Sequence, residues 1–146
     1  MTGQYTPPEV GAIPDISEGF GRVNVGEVVA PTGAVQSWDE GTQLETGEDE
    51  TRTVTVARAG QTIKATLVWT DPAGAGLQND LDLILRAADG TERHGNVPPN
   101  STGFDRVNNV EQVTWSNVPQ GDVKIITRAN RITQATQSYA LVVRVT

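Results

Sequence analysis

The stretch Asn79-Asp-Leu-Asp-Leu-Ile-Leu85 sets two carboxylates into a run that otherwise has the composition of a buried β-strand. Because successive side chains of a strand point to opposite sides, the three leucines share one face, and Asp80 and Asp82 share the other. Two like charges on one strand face repel each other unless a positive group lies against them. The stretch therefore predicts a strand with an apolar face toward a core and a polar face that holds a cation or a basic side chain.

Short runs of strand composition continue along the chain, separated by turn residues such as Asp71-Pro72 and Asp89-Gly90. Runs that recur about every 8–12 residues are typical of an all-β sandwich or barrel. We expect an all-β fold, a jelly-roll-like β-sandwich of about eight antiparallel strands. The predicted strands are residues 22–25, 34–39, 51–58, 62–70, 81–87, 111–115, 122–129 and 138–145.

The first residues differ from this pattern because they are rich in proline and glycine and show no regular apolar spacing. They predict an irregular N-terminal arm over residues 1–25, followed by the sandwich domain over residues 26–146. A short helix between Pro14 and Gly19 is only weakly signalled. The arm also lacks the basic and apolar segments of a signal peptide.

Composition narrows the class of protein. The 146 residues carry 18 acidic and 11 basic side chains, for a net charge of −7, which argues against a nucleic-acid partner. No apolar run reaches the roughly 18 residues that a membrane span needs. There is no cysteine, which excludes disulfides and thiolate chemistry but leaves the compartment undecided.

A second group of oxygen donors lies in Asp105-Arg-Val-Asn-Asn-Val-Glu111. Carboxylate, amide and carbonyl oxygens drawn from separate segments are the ligands that calcium prefers, whereas zinc favours Cys and His and magnesium a tighter octahedron. We therefore expect a structural calcium ion between the two stretches. The predicted ligands are Asp80, Asp82, Asp105, Asn108, Asn109 and Glu111, with Asp71 and Asn96 as outer candidates.

The same residues also have a purely structural interpretation, which stays open at this point. Asp80 would cap the preceding turn, and Asp82 would pair with Arg86 or Arg106 across the sheet. The Asn108-Asn109 pair would then be ordinary turn residues.

The tryptophans raise a different function, binding of an insoluble protein or polysaccharide substrate. Trp69 shares a predicted face with apolar neighbours and is expected in the core. Trp38 and Trp115 are candidates for an exposed stacking surface of the kind that holds sugars. A substrate- or carbohydrate-binding module is therefore the alternative function.

Several motifs in order resemble the C-terminal β-barrel or jelly-roll domain that follows the catalytic domain in some secreted subtilisin-like serine peptidases. The resemblance covers nearly the whole chain, and its first motif is similar to the tail of the peptidase domain itself. The motifs are Gly19-Phe-Gly-Arg-Val-Asn24, Leu67-Val-Trp-Thr-Asp-Pro72, Asn79-Asp-Leu-Asp-Leu83, Gly95-Asn96, Asn108-Asn-Val-Glu-Gln-Val113 and Ser138-Tyr-Ala-Leu-Val-Val143.

This resemblance implies a secreted, non-catalytic accessory domain that stabilises its parent protease, docks on the upstream peptidase domain and carries calcium. In that family the catalytic triad lies upstream of the appended domain. The residues agree, since His94 is the single histidine, and Ser101, Ser116 and Ser138 lack the context of an activated nucleophile. We therefore expect no peptidase activity from this chain.

Overall fold

A computed structural model describes residues 3–4 and 19–146, and the chain divides into two compact units, Met1–Ala34 and Val35–Thr146. In the first unit, strand β1 (Gly3–Gln4) pairs antiparallel with strand β2 (Arg22–Val23). Most of the predicted arm, and the helix considered between Pro14 and Gly19, lie outside the described residues.

Helix α1 (Val25–Val29) follows β2, where the sequence predicts the end of a strand. The side chain of Asn24 accepts a hydrogen bond from the Glu27 N–H at 3.3 Å and so caps the first turn. The predicted strand over residues 22–25 is therefore wrong in its last two residues, because the cap starts a helix there.

The second unit is a sandwich of two four-stranded antiparallel sheets, which confirms the predicted fold class. One sheet has the order β3-β10-β5-β8, and the other has the order β4-β9-β6-β7. The strands are β3 (Ala34–Leu44), β4 (Asp49–Val56), β5 (Gln61–Val68), β6 (Asp80–Ala87), β7 (Glu92–His94), β8 (Val110–Val118), β9 (Gly121–Arg131) and β10 (Gln137–Val145).

The order of the strands is nested. The first of the eight sandwich strands pairs with the last, the second with the seventh, the third with the sixth and the fourth with the fifth. Folding a long hairpin over itself in this way produces a jelly roll. Because the fourth and fifth strands, β6 and β7, form the innermost hairpin, the loop after β7 lies next to β6 in space.

Strand β6 is buried on both faces over most of its length. Leu81, Leu83 and Leu85 are fully buried between the sheets, as the alternation predicts, and Trp69 joins the same core. The opposite face carries Asp80 and Asp82, which are 2% and 0% exposed. Burial of two carboxylates requires partners for their charge.

The β6–β7 hairpin turns at the predicted Asp89-Gly90 pair, where the Gly90 N–H donates to the Ala87 carbonyl at 3.0 Å. Strand β7 pairs with β6 over only three residues and ends at His94. The next residue, Gly95, still donates its N–H to the Leu83 carbonyl at 2.9 Å. Beyond Gly95 the chain leaves the sheet, so β7 leaves the N–H of Leu83 on β6 without a strand partner.

Within the described part of the chain, no helix has the length and apolar character to span a membrane.

Candidate functional site

The centre of the site is Asp82, whose two carboxylate oxygens each contact a guanidinium group. Arg128 lies opposite Asp82 on β9 and donates to Oδ2 through Nε at 2.9 Å and through Nη2 at 2.6 Å. Arg106, from the loop before β8, donates to Oδ1 through Nη1. The structural interpretation of the sequence expected Asp82 to pair with Arg86 or Arg106. Arg106 is the partner in the structure, and Arg86 pairs with Glu92 at 2.5 Å.

Asp80 lies on the same strand face and shares one of these partners. Arg106 Nη1 is 3.3 Å from Asp80 Oδ1, and Asn130 donates its side-chain amide to Asp80 Oδ2 at 2.8 Å. Burial raises the pKa of Asp80, and the charge of Asp82 adds to this, while Asn130 and Arg106 act in the opposite direction. Asp80 thus lies on β6 beside the guanidinium group of Arg106, and it does not cap the preceding turn.

Glu111 reaches the site from the other sheet. It lies on the inward face of β8 together with Val113 and Trp115, and it is 1% exposed. Its Oε2 accepts the Leu83 N–H at 2.6 Å, which satisfies the backbone group that β7 leaves open. Its Oε1 is buried and has no hydrogen-bond partner among the described residues.

The charge state of Glu111 follows from this position. Its pKa is raised to about 9, chiefly by burial and also by the negative charges of Asp82, Asp105 and Asp80, against the hydrogen bond from the Leu83 N–H, which lowers it. At neutral pH the folded chain therefore keeps a proton on Glu111 unless a cation neutralises the group. Glu111 Oε1 is thus a buried carboxyl oxygen that no donor of the described residues satisfies.

Asp105 organises the loop that carries Arg106. Its carboxylate accepts the Val107 N–H at 2.8 Å and the side-chain amides of Asn108 at 2.6 Å and Asn96 at 2.7 Å. Burial by itself would raise the pKa of Asp105, but the bonds from Asn108 and Asn96 outweigh it, and the pKa lies below its usual range. We call residues 95–109 the strap, because this segment runs from the end of β7 to the start of β8.

Asn96 connects the strap to β8. Its side-chain oxygen accepts the Gln112 N–H at 3.0 Å, and its amide donates to the Val110 carbonyl at 2.7 Å as well as to Asp105. Its φ of 57° is in the left-handed region, which asparagine tolerates better than most residues. Asn96 therefore acts here as a hydrogen-bond donor to the Asp105 carboxylate.

Two predicted ligands serve other parts of the chain. Both carboxylate oxygens of Asp71 accept backbone N–H groups, from Asn79 at 2.7 Å and from Gln78 at 2.9 Å. Asn109 donates its side-chain amide to the Trp69 carbonyl at 2.9 Å.

Over residues 19–146, no group of three or more His, Cys, Asp or Glu side chains is arranged to hold a metal ion. Asp80 and Asp82 instead pair with arginines, and Asp105 accepts asparagine and backbone donors. We call Asp80, Asp82, Asp105 and Glu111 the carboxylate cluster.

Sequence reasoning missed Arg128, Asn130 and the part that Phe104 plays. The Phe104 ring stacks on His94 with centroids 4.3 Å apart, and the guanidinium carbons of Arg128 and Arg106 lie 4.4 and 5.0 Å from the Phe104 centroid. The available signal was the alternation of β9, which places Arg128 and Asn130 on the face opposite the buried Val123, Ile125 and Ala129.

His94, the single histidine, is a buried residue at the end of β7. Its Nδ1 is 2.9 Å from the Gly103 carbonyl, and its Nε2 is 3.1 Å from a carboxylate oxygen of Glu92. Nδ1 thus links the strap to the β6–β7 hairpin, and Nε2 contacts a side chain of β7 itself.

The two candidate sugar-binding tryptophans do not form a common surface. Trp115 is 5% exposed, and Arg93 lies over its ring at 4.9 Å. Trp38 is half-buried beneath Arg52, whose guanidinium carbon is 4.8 Å from the ring centroid. They lie on β8 and β3, the opposite edges of one sheet. A flat aromatic platform of the predicted kind is absent from these two positions.

The absence of a side chain at Gly95 leaves the space that the Glu111 carboxylate occupies. A Cβ atom at Gly95 would lie 2.3 Å from Glu111 Oε2 and 2.6 Å from Glu111 Cβ, whereas one at Gly76 would meet nothing within 4 Å. We expect Gly95→Ala to lower the free energy of unfolding by about 1–3 kcal/mol through overpacking. Urea denaturation measures the change, with Gly76→Ala as the control. Equal stability of the two variants would contradict a tight fit.

Comparisons with known proteins give one informative relative. The chain is 34% identical to the serine protease/ABC transporter B family protein tagA of Dictyostelium discoideum, over 153 aligned residues. The match takes in 89% of this chain but 9% of that protein. No model of a known protein family matches the chain.

Solved structures give only distant similarity. The periplasmic inhibitor of g-type lysozyme, PliG, from Aeromonas hydrophila matches with a TM-score of 0.49 at 13% identity, over 80% of this chain and 90% of that one. The P-domain of Macrobrachium rosenbergii nodavirus matches with a TM-score of 0.29 at 9% identity, over 77% and 86%. Neither similarity bears on function. The chain is thus a β-sandwich that resembles a small part of a much longer, protease-named protein.

Proposed function

We propose that this chain is a non-catalytic accessory domain of a secreted, subtilisin-like serine protease, and that it stabilises the parent protein. The observation that carries the proposal is the extent of the match, since 89% of the chain corresponds to 9% of a protease-named relative. The ordered motifs given above support the assignment to subtilisin-like enzymes. The upstream peptidase domain of the same parent chain is the partner that this role requires.

Removal of residues 26–146 from the parent protease tests this role. We expect a shorter half-life at elevated temperature, with an unchanged initial rate on a small chromogenic peptide. Equal half-lives with and without the domain would contradict stabilisation. A selective loss of activity on insoluble protein or polysaccharide would instead support the substrate-binding alternative.

We further propose that the cluster holds a structural calcium ion. The residues that would hold it are Glu111, Asp80, Asp82 and Asp105, with oxygen atoms of the strap completing the shell. Two observations support this proposal: Oε1 of Glu111 is buried without a donor, and the four carboxylates outnumber the two guanidiniums that pair with Asp80 and Asp82. When all are ionised, the surplus is two negative charges, which one divalent cation balances. Bound there, the ion would join β6, β8 and the strap.

Calcium is expected to raise the thermal midpoint of the isolated chain. A ligand that binds only the folded state at a hundredfold excess over its Kd stabilises that state by about 2.7 kcal/mol, which for a domain of this size corresponds to roughly 10 °C. Melting curves in EGTA and in millimolar calcium measure the shift, with magnesium as the control. An identical midpoint in EGTA and calcium would remove the calcium proposal and leave the accessory role standing.

A further inference from the structure

The strap carries a motif that the proposed function does not use, the sequence Asn100-Ser101-Thr102. An asparagine followed two residues later by serine or threonine, with any residue except proline between them, is the acceptor sequence for N-linked oligosaccharides in exported proteins. The chain has eight asparagines, and Asn100 is the one that meets this rule. The motif is short, so its structural setting decides whether the folded chain can carry a sugar there.

Asn100 lies at an exposed turn of the strap. The backbone N–H groups of Asn100 and Ser101 both donate to the Pro98 carbonyl, at 3.0 and 2.9 Å. Ser101 Oγ accepts the Gly103 N–H at 3.0 Å and so fixes the chain after the turn. Asn100 and Thr102 are exposed, whereas Ser101 between them is half-buried. The acceptor residue and the residue with the required hydroxyl are therefore both open to solvent.

The other asparagines differ from Asn100 in structure as well as in sequence. Asn24 caps α1, and Asn117 is exposed but is followed two residues later by Pro119. The remaining five donate their side-chain amides to partners within the sandwich: Asn79, Asn96, Asn108, Asn109 and Asn130. At the turn of the strap, the hydrogen bonds use backbone groups and Ser101 Oγ, which leaves the Asn100 amide unused.

We propose that Asn100 is the attachment site of an N-linked oligosaccharide, transferred from a lipid diphosphate donor. This inference rests on the proposed export of the parent protein. Nδ2 of Asn100 forms a bond to C1 of the first sugar, the bond from C1 to the diphosphate oxygen breaks, and the lipid diphosphate leaves with the electron pair and the proton that Nδ2 loses. An amide nitrogen is a weak nucleophile because its lone pair is delocalised, so the transferase must orient it, and the Thr102 hydroxyl is the group it holds.

Production of the 146-residue chain behind a signal peptide in a eukaryotic cell tests the inference. An Asn-Gly-Thr tail added after Thr146 reports, in the same molecule, that the chain has met the transferase. Thr102→Ala removes the required hydroxyl, and Ser101→Ala is the matched control because the middle position accepts any residue except proline. We expect a sugar at both Asn100 and the tail in wild type and Ser101→Ala, and complete loss of the sugar at Asn100 alone in Thr102→Ala.

Release of the sugars by peptide-N-glycosidase in heavy-oxygen water marks each modified asparagine, because the enzyme converts it to a labelled aspartate that mass spectrometry locates. Asn117, exposed but without the hydroxyl, should stay unlabelled. A wild-type chain labelled at the tail but not at Asn100 would overturn the attachment site and leave the accessory role standing, since that role is tested separately by the half-life of the truncated parent. A label at Asn100 that persists in Thr102→Ala would also overturn the inference.

Discussion

Replacement of Asp82 by asparagine is expected to lower the free energy of unfolding by about 2–4 kcal/mol in calcium-free buffer. Asp82 has no solvent exposure and is the shared carboxylate of Arg106 and Arg128. Removing one partner of a buried ion pair typically costs about 3–5 kcal/mol. The two arginine side chains are 40% and 38% exposed, so water recovers part of this loss. Urea denaturation at neutral pH measures the difference.

Asp122→Asn is the matched control for Asp82→Asn. Asp122 is an exposed β9 residue whose carboxylate accepts a hydrogen bond from Thr55 Oγ1 at 2.8 Å. A change within about 0.5 kcal/mol is expected there. Adding Arg128→Gln to Asp82→Asn should recover part of the lost stability, because one unpaired charge is removed. Equal denaturation midpoints for the two single variants would show that the Asp82 ion pairs do not stabilise the fold.

Replacement of Glu111 by glutamine is expected to raise the free energy of unfolding by about 3 kcal/mol at pH 7 without calcium. The pKa of Glu111 is about 9 in the folded chain, against an ordinary value of 4.5. Between these values the folded state holds a proton that the unfolded state has lost. Stability conferred by the neutral acid is therefore complete below pH 4.5 and falls by about 1.4 kcal/mol per pH unit until about pH 9. Glutamine does not titrate, and its oxygen can still accept the Leu83 N–H.

The advantage of Glu111→Gln should thus vanish near pH 4.5 and grow toward pH 9, which urea denaturation across this range measures. If calcium binds as proposed, the order should reverse in calcium, because the wild-type carboxylate is a stronger ligand for the ion than the glutamine amide. Calcium binding at pH 7 should also release about one proton in the wild type and none in the variant. Calorimetry in two buffers of different ionisation enthalpy detects that release. Parallel pH profiles for wild type and variant would contradict the neutral, buried state of Glu111.

The sequence predicted the strands best where apolar residues alternate, as in the leucines of β6, and where turn chemistry is explicit, as at Asp89-Gly90. It failed at α1, because the valines of residues 23–29 have strand propensity. The missed signal was Asn24 followed three residues later by Glu27, the spacing of a helix cap. The sequence also predicted that Asp80 and Asp82 lie close to the oxygen donors of residues 105–111.

What the amino-acid sequence determined by itself was which side chains share a face, because the alternation of a strand is a local property of the backbone. Only the tertiary structure decided which groups meet there. Asp82 contacts Arg128, 46 positions away, through the β6–β9 register, and Leu83 binds Glu111, 28 positions away, where β7 ends early. Such pairings follow from strand register and from the path of the strap, which the packing of the whole sandwich sets. The contact of Arg106 with both Asp80 and Asp82 is therefore a product of the fold.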